Sequence, residues 1–531
     1  MKKFINKIKN NKVLSILSVL IIGLFFILVT RITYAYLAPV INDAQTNVVG
    51  STDTVDDFKF ELGNPLKINA TPTTLKENGS NYTTSTTAKA LLKANSTKKT
   101  ATFNYYVYFQ IKSNTFTYSD GSTPEIILTV TNPNGDEITS IEGLTYGTFN
   151  GVSGFDITTK KGLFNIANNH EITSNSSTTY TTQSWTIKIT YLNLSIDQST
   201  NFGNSMKVNV YITKNEKKLT VADVCSSEQT LSSCIVAMDG KDDTLYHHTS
   251  TLTNGAGDNS YRYAGASESV NNFVCFGSTT SPCPEDNLYR IIGVIDDKVK
   301  LIKYDYATSA LLGTDGDYEG SSTPHPSNYK GSLTTINTYS WNYKKNTSIN
   351  NGMGSNKWST SLLNKINLNT NYLNNIGTTW SNMIEDATWK VSGHSTSEVT
   401  PSEMYTREIT NATKTYGPND GISKIGLMYA SDYGFAASPS AWTKSLISYS
   451  GNDANGTSIT TINWMYMGFY EWTLTPYSSY SHRVFRLSSN GNMYYNDAYY
   501  GDGSRPVLYL KSSVLYAGGS GTKNSPITLV V

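Results

Sequence analysis

The sequence predicts a mainly β protein with an α+β C-terminal part, and three observations carry that expectation. Charged residues make up only 16% of the chain, while uncharged polar residues and 37 tyrosines fill their place. From about Asp43 to Lys214, short alternating segments follow one another between Gly, Asn and Pro turns, the pattern of a β-sandwich. Beyond Lys214 strand-like runs continue, joined by one segment in which Trp358, Leu362 and Ile366 recur at helical spacing. The composition also matches an AT-rich genome, whose codons enrich Asn, Tyr, Ile and Lys without functional cause, so the patterning carries more weight than the composition.

The chain opens with MKKFINKIKNNK, five lysines and no acid, before an apolar run from Val13 to Val29. Positive charge ahead of an apolar segment directs Sec export, because the lysines stay on the cytoplasmic side. Small residues at Thr33 and Ala35 suit a signal peptidase, and the apolar run is just long enough to span a bilayer. Residues 1–35 therefore read as a signal peptide cleaved after Ala35 or as an uncleaved N-terminal membrane anchor, and the protein is expected outside the cytoplasm, secreted or held on the outer face of the membrane. The closing residues NSPITLVV contain no LPxTG-type signal, which leaves the N-terminus as the expected anchor.

Residues 36–215 form the expected sandwich. Its strands include Thr102–Ile111, Ile126–Val130, Ser184–Tyr191 and Met206–Ile212, with Trp185, Phe103 and Tyr106 expected in the core. The charged run Lys214–Lys218 reads as a boundary, and residues 216–257 as a linker with a cysteine-containing segment. The last part, 258–531, offers strands at Phe273–Phe276, Leu288–Ile295, Val299–Tyr304, Ile425–Tyr429, Trp472–Leu474, Val484–Leu487 and Val507–Leu510. Asp296-Asp297-Lys298 marks a hairpin turn. The stretch from Asp305 to Asn356 reads as loop.

Four cysteines, Cys225, Cys234, Cys275 and Cys283, form an even count in an exported chain and predict two disulfides. Local pairing closes two short loops, although spacing alone leaves the connectivity open. The rival zinc reading lacks a Cys-x-x-Cys pair, while His247 and His248 between the cysteine pairs keep it in view. A formal net charge of +1 offers no footprint for a phosphate backbone, so nucleic acid is not an expected partner.

The apolar segment followed by Thr33-Tyr34-Ala35-Tyr36-Leu37 resembles the export region of camelysin-like and biofilm-fibre surface proteins. So does Trp185…Tyr191-Leu192-Asn193-Leu194…Asp197-Gln198…Asn201-Phe202-Gly203, a closing hairpin of such sandwiches. The resemblance implies a sandwich whose first strand begins at Tyr36. It does not extend to metalloprotease chemistry, because His170-Glu171 is not followed by a second histidine. From Asp258 on, a second series stands in order. It runs through Asp258–Gly265, Asn271–Phe276, Leu288–Val294, Val299–Lys303, Gly426–Tyr433, Glu471–Leu474 and Gly503–Leu510. This half resembles an uncharacterised family of exported domains of Gram-positive-type bacteria, with Glu-Trp…Gly-x-Arg-Pro as its most specific element. The resemblance implies a C-type-lectin-like domain, similar to formylglycine-generating enzymes and to variable proteins of diversity-generating retroelements. The copper-binding cysteines of formylglycine-generating enzymes have no counterpart after Cys283.

No nucleophile elbow, Walker loop or reactive thiol is present, and no cofactor is expected. Glu-Pro-Asn and Gln-Pro-Asp, the calcium-dependent sugar motifs, are absent. Asp315–Gly320 resembles the start of an EF-hand loop, but its twelfth position is Pro326, so no metal is expected and a solvated turn is the default. The expected contact surface is Tyr477–Asp502, with Tyr477, Tyr480, His482, Tyr494, Tyr495, Asn496, Asp497, Tyr499 and Tyr500 as candidate ligand-binding residues. Tyrosine offers a large contact area at low entropy cost, and Asn and Ser add adaptable hydrogen bonds. A hairpin turning at Ser489–Asn492 would put Tyr495 and Asp497 on one face and Tyr494 and Asn496 on the other. Glu471, Trp472, Arg505 and Pro506 read as structural, with Arg505 pairing Glu471. The leading functional reading is a display or adhesion protein that binds an extracellular protein or glycan through its C-terminal domain, touching the membrane through its N-terminal segment if that segment is uncleaved. The alternatives are a fibre-forming or structural surface protein and an extracellular hydrolase with an unrecognised acid pair.

Overall fold

The computed structural model describes residues 33–37, 56–64, 66–70, 80–225, 227–411 and 421–531. The protein is mainly β, 36% strand against 16% helix. It divides into two compact units between Lys218 and Leu219. The lysine-rich start and the apolar run Val13–Val29 lie outside the described residues. Among the described residues, no helix is long and apolar enough to cross a membrane.

The first unit contains β1 (Thr33–Leu37), β2 (Asp57–Leu62), β3 (Lys67–Ala70), β4 (Tyr82–Lys93), β5 (Ala101–Asn114), β6 (Ile126–Thr131), β7 (Thr145–Phe149), β8 (Val152–Asp156), β9 (Gly162–Ser174), β10 (Thr181–Tyr191) and β11 (Met206–Thr213). They form a five-stranded sheet ordered β3-β1-β11-β5-β9 and a six-stranded sheet ordered β2-β4-β10-β6-β8-β7. One core cluster draws on both, including Leu92, Phe109, Val130, Ile187 and Val210. The backbone of Ala35, the expected cleavage position, lies inside β1 opposite Ile68, and Tyr36 pairs with Lys207 of β11.

Trp185 is buried and donates its indole N–H to Tyr105 Oη at 2.8 Å. The buried tyrosine of β5 is Tyr105, whereas Tyr106 and Phe103 are only half-buried. The alternation of β5 sets which tyrosine faces the opposing sheet. The motif Tyr191…Gln198…Asn201 also has a structural account. All three side chains donate to the buried Glu125 carboxylate, at 3.3, 2.9 and 2.9 Å. A buried carboxylate needs such donors, and they hold the end of β10 to the loop before β6.

The second unit begins at Leu219 rather than at Asp258, so the expected linker 216–257 is corrected. Leu231, Cys234, Ile235, Met238 and Leu245 of that segment are buried in the second unit's main core. Its strands are β12 (Leu245–His248), β13 (Ser260–Tyr263), β14 (Phe273–Cys275), β15 (Leu288–Ile295), β16 (Lys298–Lys303), β17 (Tyr318–Ser322), β18 (Ile336–Ser340), β19 (Ala387–Trp389), β20 (Gly421–Ser423), β21 (Ile425–Gly426), β22 (Glu471–Pro476), β23 (Arg483–Leu487), β24 (Met493–Asp497), β25 (Gly501–Asp502), β26 (Val507–Tyr509), β27 (Tyr516–Gly518) and β28 (Thr528–Leu529). The largest sheet runs β12-β13-β15-β16-β26-β21, with β14 also on β15. Asp296 and Asp297, both at positive φ (49° and 59°), make the tight turn between β15 and β16. Three-stranded sheets β17-β18-β25 and β22-β23-β24 complete the frame around the candidate site.

Two expectations fail here for identifiable reasons. The stretch 305–356 contains β17, β18 and a short helix at Ser309–Leu312, whose polar and Gly-rich sequences hide their strand character. The helical segment is a π-helix from Leu363 to Tyr372, and its buried side chains are Leu363, Asn367, Leu368 and Tyr372. The wider i→i+5 turn moves the inward face off Leu362 and Ile366, which are half-buried.

Candidate functional site

The β22–β23–β24 sheet builds the candidate site from its inner side outward. All six residues of β22 are buried. Trp472 is fully buried and donates its indole N–H to the Tyr339 carbonyl at 2.8 Å. Beside it Glu471 and Arg505 meet at 2.7 Å, each side chain 1% exposed. Arg505 also donates to the Met465 carbonyl at 2.8 Å, and the buried Pro506 carbonyl accepts the Lys303 N–H at 3.0 Å. Burial raises the Glu471 pKa even against the attraction of Arg505.

The hairpin β23–β24 pairs Arg483 with Asp497, Phe485 with Tyr495, Arg486 with Tyr494 and Leu487 with Met493. Gly491, at φ +96°, makes the turn and donates its N–H to the Ser488 carbonyl at 2.9 Å. Val484, Phe485, Leu487 and Met493 face the core. Ahead of the hairpin, the loop 477–482 is fixed by Asn356, whose side chain donates to the carbonyls of Tyr480 (2.7 Å) and Arg483 (3.3 Å).

On this frame four tyrosines form a ladder. Tyr494 stacks on Tyr495 (centroids 4.6 Å apart, planes 13°), Tyr495 on Tyr477 (4.0 Å, 29°) and Tyr477 on Tyr480 (5.9 Å, 14°). The two end rings are the exposed ones, Tyr480 at 45% and Tyr494 at 42%. This corrects the expected separation of Tyr494 and Tyr495 onto opposite faces. Near-parallel rings make a favourable contact when they are offset, since direct overlap would set their like quadrupoles against each other. A hydrogen bond with the Tyr495 phenol pushes the Tyr494 pKa up.

Charged groups flank the ladder as matched pairs. The Arg483 guanidinium lies over the rings of Tyr480 (4.4 Å) and Tyr495 (5.1 Å) and donates to Asp497 at 3.0 Å. His482 Nε2 stands 3.5 Å from the same carboxylate oxygen; burial, with Arg483 close by, lowers its pKa despite Asp497. Arg486, across from Tyr494, holds Asp502 at 2.9 Å and covers Tyr470 at 4.4 Å. Asn496 is half-buried and its side-chain oxygen accepts the Asp497 N–H. Tyr499 and Tyr500 stack on one another (4.3 Å) apart from the ladder, with Tyr343 beside Tyr499 at 5.9 Å.

Arg483, Arg486 and Asp502 were missed by the sequence reading. The hairpin itself held the signal, since pairing its strands sets Arg483 opposite Asp497.

Other motif residues form buried polar contacts. Asp432 takes Arg262 at 3.2 Å and Lys300 at 2.6 Å, and Asp258 takes Arg262 at 2.8 Å and the Tyr405 hydroxyl at 2.7 Å. Burial opposes the charge on Asp258, but Arg262 and the hydrogen bonds from Ser260 and Tyr405 outweigh it and hold its pKa well below the usual carboxylate range. Asp317 is no solvated turn. Its buried carboxylate accepts four backbone N–H groups, from Tyr343, Lys344, Leu362 and Leu363, at 2.7–3.1 Å. The disulfides are Cys225–Cys234 and Cys275–Cys283, with Cα separations of 5.5 and 5.8 Å. Among the described residues no group of His, Cys, Asp and Glu could hold a metal ion.

Compared with family models, curated proteins and solved structures, the chain matches none.

Proposed function

We propose that the protein is an exported display or adhesion protein whose second unit, with a C-type-lectin-like fold, binds an extracellular protein or glycan through the β23–β24 hairpin and the loop before it. The observation that carries this reading is the tyrosine ladder with exposed end rings, Tyr480 in the loop before β23 and Tyr494 on β24, beside the wholly buried strand β22. Large aromatic side chains facing water on a fixed frame favour binding, because little conformational entropy is lost when a partner covers them. The lectin-like assignment rests on the order of motifs from Asp258 onward, whose two most specific elements supply the Glu471–Arg505 pair. Export is supported by the lysine-rich start and by two disulfides, which fit an oxidising, extracellular environment.

The test is a binding screen of the exported protein against extracellular proteins and glycans, run beside the double variant Tyr480→Ser/Tyr494→Ser. The expected result is a ligand that the double variant loses while its unfolding free energy stays within about 1 kcal/mol of the parent, as surface changes usually do. Binding that survives in the double variant, or tyrosines whose loss unfolds the unit, would overturn the proposal.

A further inference from the structure

Resting on that reading, we infer that the hairpin site takes a polysaccharide of neutral sugars, one ring seated on the outer face of Tyr494 and the chain hydrogen-bonded by Arg486 and the Arg483–Asp497 pair, rather than a protein or an anionic glycan.

Ring geometry makes the first argument. Among the described residues Tyr494 has one ring neighbour, Tyr495, on one of its faces, and it is 42% exposed. A free tyrosine face is a flat, electron-rich surface about the size of one pyranose. The C–H bonds on one side of a pyranose carry partial positive charge and meet the negative face of the ring quadrupole. Behind Tyr494 the ladder is fixed through Tyr495 and Tyr477, so the platform is ordered before a ligand arrives.

Charge makes the second. Arg483 is matched by Asp497 and Arg486 by the buried Asp502, so the site carries no net charge, while the part-exposed Arg483, Asp497 and Arg486 offer donors and an acceptor. An unpaired cation is what a sulfate, phosphate or uronate would select, and here both guanidiniums already hold carboxylates. The lowered pKa of His482 adds no positive charge at neutral pH. Vicinal sugar hydroxyls both donate and accept, and they match a guanidinium next to a carboxylate.

Area makes the third. Among the described residues of the second unit, the exposed large apolar side chains are Ile349, Ile422, Tyr470, Tyr480, Tyr494, Tyr500, Val530 and Val531, and no aliphatic residue of the hairpin is among them. A stable protein interface needs roughly 800 Å² from each partner around a desolvated apolar centre. Two exposed end rings of a ladder flanked by salt bridges do not make that centre.

The experiment is affinity electrophoresis of the exported protein through gels containing laminarin, mannan, amylopectin or galactomannan as neutral probes, and alginate, hyaluronan or heparin as anionic ones. Tyr494→Ser, Tyr480→Ser and Asp497→Asn are run alongside, with near-UV circular dichroism to confirm that each folds. Retardation by at least one neutral polysaccharide is expected, weakened about tenfold in Tyr494→Ser, the ratio one ring contact supplies. Asp497→Asn, which keeps size and loses only charge, should weaken the same probe and admit an anionic one, because Arg483 is then unpaired. Three outcomes overturn the inference: retardation by anionic probes alone, retardation by a neutral probe that Tyr494→Ser leaves unchanged, and no retardation at all. If a protein ligand binds the parent and is lost in Tyr480→Ser/Tyr494→Ser while no polysaccharide retards it, this inference fails and the binding role of the hairpin stands.

Discussion

Replacing His248 by Asn should remove a pH dependence that the second unit carries below neutrality. His248 is fully buried, and its Nδ1 accepts the Ala256 N–H at 2.9 Å. Its ring lies 5.0 Å from Phe435 and 5.1 Å from Trp442, centroid to centroid. The neutral imidazole fits this place, whereas the imidazolium would lose its acceptor atom and bury a charge near Arg262. Burial first, then Arg262, push its pKa from 6.5 down to about 3, with Asp258 pulling the other way and His247 adding a small push. Between those two values the unfolded chain holds a proton that the folded chain lacks, so stability from this group is complete above pH 6.5 and is lost as pH falls toward 3. The loss is roughly 1.4 kcal/mol per pH unit, so about 2 kcal/mol has gone at pH 5. Glu408 works in the opposite sense. Burial raises its pKa to about 7, and its contribution falls as pH rises from 4.5 toward that value. The observable is therefore the difference between parent and variant, in which Glu408 cancels. Asn at 248 keeps an acceptor near the Ala256 N–H and does not titrate. Urea unfolding followed by tryptophan fluorescence reads the right unit, because seven of the eight tryptophans, all but Trp185, lie beyond Lys218. The parent should lose roughly 2 kcal/mol relative to His248→Asn between pH 7.5 and pH 5. Parallel curves over that range would refute the assignment of a neutral, buried His248.

Trp472→Ala should cost roughly 3–5 kcal/mol, because it empties a core site and strands the Tyr339 carbonyl; a binding defect with an unchanged unfolding midpoint would contradict this. Arg505→Met leaves the Glu471 carboxylate buried without its cation, which should cost about 3–5 kcal/mol, and adding Glu471→Leu should recover a large part of that in denaturant unfolding. Non-reducing peptide mapping of the protein should recover the Cys225–Cys234 and Cys275–Cys283 peptides and no free thiol. The same spectra should show a mature terminus at Tyr36 or the intact chain in the membrane fraction.

Local pattern determined a good deal of this protein. Alternation marked β5, β10 and β11, because a half-buried strand must place every second side chain inward, and a short apolar run before a turn marked β6. The Asn-Gly in Ser489–Asn492 and the Asp-Asp at 296–297 announced their turns, because few residues adopt positive φ at low cost. An even set of clustered cysteines predicted disulfides, and Arg505 was expected beside Glu471 from its place in a motif. What local pattern cannot carry is the identity of a distant partner. Asp432, Arg262, Lys300 and Asp258 are spread over 175 residues from first to last, and only the packing of β13 and β16 against the helix at Ala430–Phe435 makes them one network. Segment 219–257 read as a linker because its helices are four and six residues long; its burial comes from the sheet it covers. Asp317 looked like a turn residue until Leu362 and Leu363 were brought to its carboxylate. The same holds for the site. The tyrosines of 477–500 were visible as composition, but ring stacking is set by side-chain torsions and by neighbours across strands. Only the fold decided that Tyr477, Tyr480, Tyr494 and Tyr495 share one ladder, that Tyr499 and Tyr500 do not, and that two arginine–aspartate pairs leave it without net charge.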